Sequence, residues 1–553
     1  MKPRFLLAWL LYWSFTCGAA DLGKARAWVD EGRYAEALAE FQVLLEASPT
    51  NTDLLIEVAR VNAWADRHSQ AATLYGRALE VSPERRHDIL LPLAWQLAWG
   101  NRHDAAIPLF MEASQRAGPQ QSEALHGLAE SLRATHQPLQ ALGIYQQLAA
   151  DTSDLKAQKA EASMLSELEK HEQAASRYRA ILQIQPQDQE ARIGLARALN
   201  HGGRHFAAVS AYQAAINDNP VLAHDTRAER ALALRWAGLE DQAMLTLGDA
   251  TGNDALRSRL KQETASHLRS EFEFAQDSDK LNVHALMLGW QQRFAGVNDI
   301  DTSLRAARIE QHHDLISGRQ FLIRAGTRLG DVHHGLFWPA LTLGVRDYDG
   351  WQTAAWKLQG KWVPADSWRV DLEAGNDVIE NVAALNNKVT LEFIAAGADW
   401  RFAPRWSATL GGALLRFDDG NRRARLLART EYVWLNRQPR VKLGLESMGF
   451  NDSNPALARG YYNPESYREI KIFAQAEHEV AGWQLAGKLA LGRLVETPGG
   501  GSGLYVWELS ASRDLDAQLR LRLTAGGSDS SAFLRTSSGY NRNYVGISLV
   551  WFH

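Results

Sequence analysis

From about His267 to His553 polar and apolar residues alternate with period two, and the run divides into sixteen short segments whose connections alternate short and long. Period two sends successive side chains to opposite faces of a strand. Arg269, Glu271 and Glu273 interleave with Leu268, Phe272 and Phe274; Arg369, Asp371 and Glu373 with Trp368, Val370 and Leu372; Arg520 and Arg522 with Leu519, Leu521 and Leu523. A soluble sandwich also alternates, so turn length decides. One set of connections is tight: Pro364 to Ser367, Ala403 to Arg405, Asn436 to Pro439, Val480 to Gly482 and Asp514 to Asp516. The other set is mostly longer: Ile379 to Asn387, Asn451 to Ser466, Glu496 to Ser502 and Ser528 to Asn543, although Tyr348 to Gly350 is short. Short turns at one end, long loops at the other and an even strand number are the pattern of an outer-membrane barrel.

Tryptophan gives an independent indication. On this topology Trp290, Trp338, Trp362, Trp368, Trp400, Trp406, Trp434, Trp483 and Trp551 all gather at the rim of the tight turns, as an aromatic girdle in the lipid interface requires.

The N-terminus is of another kind. Lys2 and Arg4 precede an apolar run from Phe5 to Phe15 and small residues Gly18 to Ala20, the pattern of a secretory signal cut before Asp21. The only cysteine, Cys17, lies inside it, and Ser14-Phe15-Thr16 fits a lipoprotein signal poorly, so the mature chain is expected to have no thiol for disulfides, zinc or nucleophilic catalysis. No later stretch supplies the ~20 apolar residues of a helical span. A net charge of -4 on 60 basic and 64 acidic residues carries no nucleic-acid signature.

Between these two parts, over residues 21–255, a pattern recurs with the tetratricopeptide period near 34. Tyr34, Ala37, Phe41 and Pro49 are followed by Ala71, Tyr75, Ala78 and Pro83, then by Ala105 and Leu109, Ala141 and Tyr145, Ala174, Tyr178 and Pro186, and Ala208, Tyr212, Ala215 and Pro220. A degenerate seventh copy holds Gly238 and Ala243. Small Ala lets two helices approach, the aromatic four residues later fills the next turn, and Pro ends the second helix. Each repeat alone exposes an apolar face, so the copies must stack into a solenoid whose groove binds another chain. Trp28, Trp64, Trp95 and Trp99 are expected to pack between repeats, and His103, His126, His136, His171, His201 and His205 to be solvated or capping, without metal-site spacing.

The predicted architecture is therefore multidomain: a signal peptide over 1–20, an all-α tetratricopeptide superhelix of about seven repeats over 21–255, and an antiparallel transmembrane β-barrel of about 16 strands over 265–553. A barrel of that size encloses an aqueous channel. Its inward face is read as carrying Arg324, Arg328, Lys357, Lys361, Arg369, Arg423, Arg425, Arg429, Lys442, Lys471, Arg520 and Arg522, with Glu271, Glu273, Asp371, Glu373, Glu431, Glu446, Glu469 and Glu508. Such charges can simply solvate the lumen and pair across strands. As an ensemble they can also line a hydrated polymer path, with Arg423, Arg425 and Arg429 favouring acidic groups.

No Gly-x-Ser-x-Gly elbow, His-Glu-x-x-His or phosphate loop is present, and Gly499 to Gly503 lacks a following Lys. The pairs His312-His313 and His333-His334 fall at opposite ends of the barrel. The sequence thus predicts no enzyme, cofactor or metal.

A signal peptide, a tetratricopeptide array and a C-terminal barrel in that order resemble the outer-membrane exporters of bacterial exopolysaccharide systems, which carry cellulose or poly-N-acetylglucosamine. Gly460-Tyr461-Tyr462-Asn463-Pro464 ahead of a strand from Tyr467 is similar to an element of cellulose-type exporter barrels, although Asn-Pro is turn chemistry in any fold. The array is shorter than in the large cellulose exporters. The resemblance implies an outer-membrane location with the array in the periplasm, a monomeric pore, an exopolysaccharide as cargo, and periplasmic and inner-membrane synthesis proteins docked in the groove. The rival reading is a receptor, adhesin or envelope scaffold whose barrel is only an anchor in outer-membrane lipid.

Overall fold

The computed structural model describes residues 21–529 and 542–553, apart from 117, 152, 250, 295–297 and 456–458. The signal expected over 1–20 and most of the loop expected over Ser528 to Asn543 lie outside the described residues. The chain forms two compact units, Met1–Gly194 and Leu195–His553. Helices run up to Thr264 and strands begin at His267, but the units divide earlier, within the helix Gln189–His201.

The first unit is built of antiparallel helix pairs: Leu22–Asp30 with Tyr34–Ala47, Thr52–Trp64 with His68–Val81, Arg86–Trp99 with His103–Ser114, Pro119–Ala134 with Pro138–Leu148, and Leu155–Glu167 with His171–Ile184. The repeating small and aromatic positions carry the packing, with Ala37, Phe41, Ala71, Tyr75, Ala174 and Tyr178 all buried. A Cβ at Gly194 would stand 2.4 Å from the Tyr178 ring, so the backbone there must lack one. The turns inside the pairs reverse through left-handed residues, Gly32, Asp66, Asn101, His136 and Glu169, at about the repeat period.

Two expectations are corrected. The six histidines do not all merely face solvent: His103 bonds Ser131 at 3.4 Å and His126 bonds Asp154 at 2.9 Å, each tying one repeat to the next, as His68, outside that set, does through Gln96 at 3.0 Å. Nor are all tryptophans core residues. Trp95 stacks on Trp99 and meets Phe110 edge-on, but Trp64 and Trp99 remain about half exposed, at 51% and 55%.

In the second unit three further helices, His205–Asp218, Arg227–Trp236 and Glu240–Leu247, continue the same pattern, and Asp254–Thr264 leads into the sheet. Every strand from His267–Asp277 to Arg542–Phe552 is antiparallel to its neighbours in sequence, and the first also pairs with the last, Phe272 opposite Ile547. The short segment Leu329–Asp331 continues Asp314–Thr327 along the same neighbour, giving a closed ring of 16 strands. Closure leaves no unpaired edge, the condition for a sheet to stand in lipid.

The helices of this unit sit on the rim of tight turns. The carboxylate of Asp366, between two strands, accepts the N–H groups of Phe206 at 2.8 Å and Ala207 at 3.2 Å, capping the helix His205–Asp218. Arg401 donates to the Gly203 carbonyl at 2.6 Å, and Arg328 pairs with Asp241 at 2.6 Å with little exposure. Phe206, Leu234, Leu239 and Leu260 pack with Leu336, Trp338 and Val363 of the barrel. Here Trp338 departs from the expected girdle: it faces inward, its ring against Gly238 and below the Lys361 ammonium.

This junction is pH-sensitive. Burial and the nearby Arg401 guanidinium push the His205 imidazole down to about 4, whereas an unfolded histidine titrates near ~6.5. As pH falls below that value the released segment takes up the proton first, so its contribution is complete at neutral pH and is lost towards pH 4. Hydrogen exchange of the segment around 203–212 should show a loss of about 1–2 kcal/mol between pH 7 and 5, and His205→Gln should flatten that dependence.

Candidate functional site: the barrel interior

Burial alternates along the strands and separates the faces. Leu286, Leu288, Leu410, Leu414, Leu489 and Leu491 form an exposed outer belt, each between residues that point inward. At the rim of tight turns Trp368 stacks on Trp400 at 5.4 Å, Phe402 bridges to Trp406, and Trp406 meets Tyr432 at 4.8 Å. Trp290, Trp362, Trp434 and Trp551 are exposed on the same outer face, as an indole belt at a lipid interface requires.

The inward charges are for the most part met by partners from the chain itself. Arg324 pairs with Asp299, Lys357 with Glu373 at 2.7 Å, and Arg369 with Asp371 at 2.8 Å. Glu446 is the hub of a larger network, reached by Arg429, by Lys471 at 2.7 Å and by Lys488 at 3.8 Å, while Lys442 approaches Glu431 at 3.4 Å and Lys471 also holds Glu469. Arg425 lies over the Phe450 ring at 5.3 Å. Arg423 pairs with Asp452 at 2.8 Å, both fully buried. The three arginines read from sequence as facing acidic groups of a polymer are thus placed against the chain's own carboxylates and rings.

Two other positions are tied to the helices on the rim. Arg328 belongs to a rim turn and points to helix residue Asp241, and Arg520 bonds both Asp514 at 2.6 Å and Gln262 at 2.9 Å. Arg522 is exposed to the interior and makes no ion pair among the described residues.

Sequence reasoning missed the structure that fills the far mouth. The connection 379–389, between the strands Trp368–Val378 and Thr390–Ala403, turns inward as the short helix Val382–Asn386, capped by Asn381 from the Ala384 N–H at 2.7 Å. Glu380 reaches the inner face of the strands Asn298–Gln311, Asp314–Thr327 and Gly335–Tyr348. There it receives Arg305 at 2.6 and 3.0 Å, Tyr348 at 2.8 Å and Gln320 at 3.3 Å. Val382 and Leu385 pack on inward-facing Leu281, Val283, Ile309 and Ile316, and Ala384 and Val389 on Phe393, Leu415 and Phe417. These apolar inward residues were the available signal, since a wet lumen calls for polar ones.

A second connection locks the first. Tyr461 stacks on Phe417 with centroids 4.6 Å apart, donates to Asp419 at 2.8 Å and accepts from Asn421 at 3.1 Å. Arg459 donates to the Asn387 carbonyl at 2.6 Å, and Asn387 returns a bond to the Arg459 carbonyl. Gly460, left-handed at φ 86°, lies so close that a Cβ would stand 2.5 Å from that of Ala383. Tyr462 reaches Glu496, and its carbonyl accepts from Arg423. The Gly460-to-Pro464 element is therefore the clasp of the occluding loop. By contrast, the long loop expected over Glu496 to Ser502 is a tight hairpin, with Glu496 paired to Gly500.

Residues 333–481 match the PgaA membrane beta barrel domain, and residues 29–91 and 159–221 each match a tetratricopeptide repeat. Among solved structures, a bacterial polysaccharide outer membrane secretin aligns at 14% identity over 52% of this chain and 99% of its own, with TM-score 0.44. YrrB, a TPR protein with an unusual peptide-binding site, aligns at 19% identity over 35% of this chain and 96% of its own, with TM-score 0.29. A tetratricopeptide repeat protein from Parabacteroides merdae aligns at 15% identity over 43% and 95%, with TM-score 0.34. No curated protein matches the chain.

Proposed function

We infer that this chain, a PgaA-type outer-membrane barrel carrying tetratricopeptide repeats, is the conduit through which an exopolysaccharide leaves the cell. The observation that carries the reading is a closed 16-strand ring with a lipid-ready exterior and a charged interior. An anchor needs the exterior alone, whereas a conduit needs both faces. Eight strands would be filled by side chains; sixteen leave room for hydrated sugar.

The finer assignments follow from the same reading. The repeats over 21–255 belong to the periplasm, and their groove recruits periplasmic and inner-membrane proteins of polymer synthesis. The inward residues Lys357, Lys361, Arg369, Asp371, Glu373, Arg429, Lys442, Lys471 and Arg522 line the path. Because most of these charges are paired within the wall, the path favours a polymer recognised through hydroxyl and amide groups over one drawn in by net charge.

Deleting the gene should trap polymer in the periplasm, measured as sugar released on osmotic shock. The full chain should restore export; a chain lacking residues 21–194 should keep outer-membrane insertion and lose export. Polymer at the cell surface in the deletion strain would refute the reading.

A further inference from the structure

The outer wall breaks its own rule near the far mouth. Arg416 and Arg422 are direct cross-strand partners on the outward face, both exposed, and neither makes an ion pair among the described residues. Like charges placed opposite one another are destabilising, and a charge on the lipid face is a further cost. Glu392, the register partner of Arg416 on its other side, leaves the row with net positive charge. Two strands on, Arg468 and Arg493 are diagonal neighbours on the same face, again exposed and without ion pairs among the described residues. They belong to the lipid belt: Arg468 lies next to exposed Ile470, and Arg493 lies between Leu491 and Val495.

Beneath the first pair is a concavity of about 850 Å³, with Trp356, Ile394 and Leu414 on its floor and Arg416, Arg422, Glu392 and Asn451 at its upper edge. An apolar floor inside the belt and paired guanidinium groups at the headgroup level suit a ligand with acyl chains and phosphates. A soluble partner could not reach that floor. We propose that this wall binds a phosphorylated glycolipid of the outer leaflet, with its chains on Trp356, Ile394 and Leu414 and a phosphate held between Arg416 and Arg422. The inference rests on the reading above, in which this rim faces the cell exterior. Guanidinium forks fit phosphate with two parallel bonds, and the pair is held by the backbone register before the lipid arrives.

The test uses the full mature protein in nonionic detergent, titrated with bis-phosphorylated lipid A and followed by native mass spectrometry. Wild-type protein should retain the lipid, and Arg416→Gln with Arg422→Gln should weaken retention by about tenfold or more. Dephosphorylated lipid A should bind no better to wild type than to the variant. An unchanged heat-dependent gel shift would show that the variant is folded. Equal retention by the variant, or equal competition by phosphatidylglycerol, overturns the proposal. A His313→Cys probe in a turn of the same rim separates the premises. Surface labelling with no effect of the arginines sinks this site alone, whereas labelling only from the periplasmic side sinks the orientation and the site with it.

Discussion

Joining Ile379 to Val389 through a two-residue Asn-Gly turn should convert a nearly silent barrel into an open pore, with conductance in planar bilayers rising by about an order of magnitude or more. The loop is held at three places, and all three leave with it: the Glu380 bonds to Arg305, Tyr348 and Gln320, the apolar contact of Val382 and Leu385 with Leu281, Val283, Ile309 and Ile316, and the clasp through Arg459 and Gly460. The flanking strands keep their register, since Asp377 pairs with Leu391 without help from the loop. Glu380→Ala is the graded version. It removes one anchor worth about 1–3 kcal/mol, so it should give brief openings on a closed baseline. A deletion that leaves conductance unchanged would mean that some other segment closes the path.

The second large effect concerns stability. Asp452→Ala leaves Arg423 buried with its carboxylate partner removed, a change that costs about 3–5 kcal/mol. Among the described residues Arg423 would keep the Tyr462 carbonyl and the faces of Phe417 and Phe450. The double change Arg423→Met with Asp452→Leu should recover most of the loss, because two apolar groups need no ion. Denaturant titration in detergent micelles, read by the heat-dependent gel shift of the folded barrel, measures both. Equal destabilisation by single and double variants would show that the pair itself contributes and that the uncompensated charge does not.

How much of this was legible beforehand depended on which force sets each feature. Strand number, the tight turns and the outer face could be read directly, because the lipid belt forces apolar residues at every second position over most of each strand. The helical pairs were equally legible, since Ala37 and Phe41 or Ala174 and Tyr178 carry their packing within one repeat. The hairpin through Gly499 and Gly500 was misread as a loop because backbone pairing needs no side chain and so leaves no pattern. Trp338 was misplaced for a different reason. Its inward turn answers to the helices on the rim, which are distant in sequence.

The far mouth is the instructive case. There the alternation inverts: Ile309, Ile316, Leu415 and Phe417 point inward while Arg308, Arg319, Arg416 and Arg422 point outward. Read strand by strand, that inversion looks like a slip of one residue. In the folded chain it has two causes, a plug that makes the lumen locally dry and an outer surface that carries arginines, Arg308 paired with Glu310 and Arg416 set opposite Arg422.

Sequence alone determined the repeats, the ring of strands and the membrane-facing wall, because periodic burial against a uniform medium writes itself into every turn and every second residue. Only tertiary structure decided that Glu380 meets Arg305 and Tyr348, that Gly460 clasps the loop, and that the basic cluster is answered by Asp452 and Glu446. Those contacts join residues far apart in the chain, and their energy comes from specific pairing, which leaves no period to read.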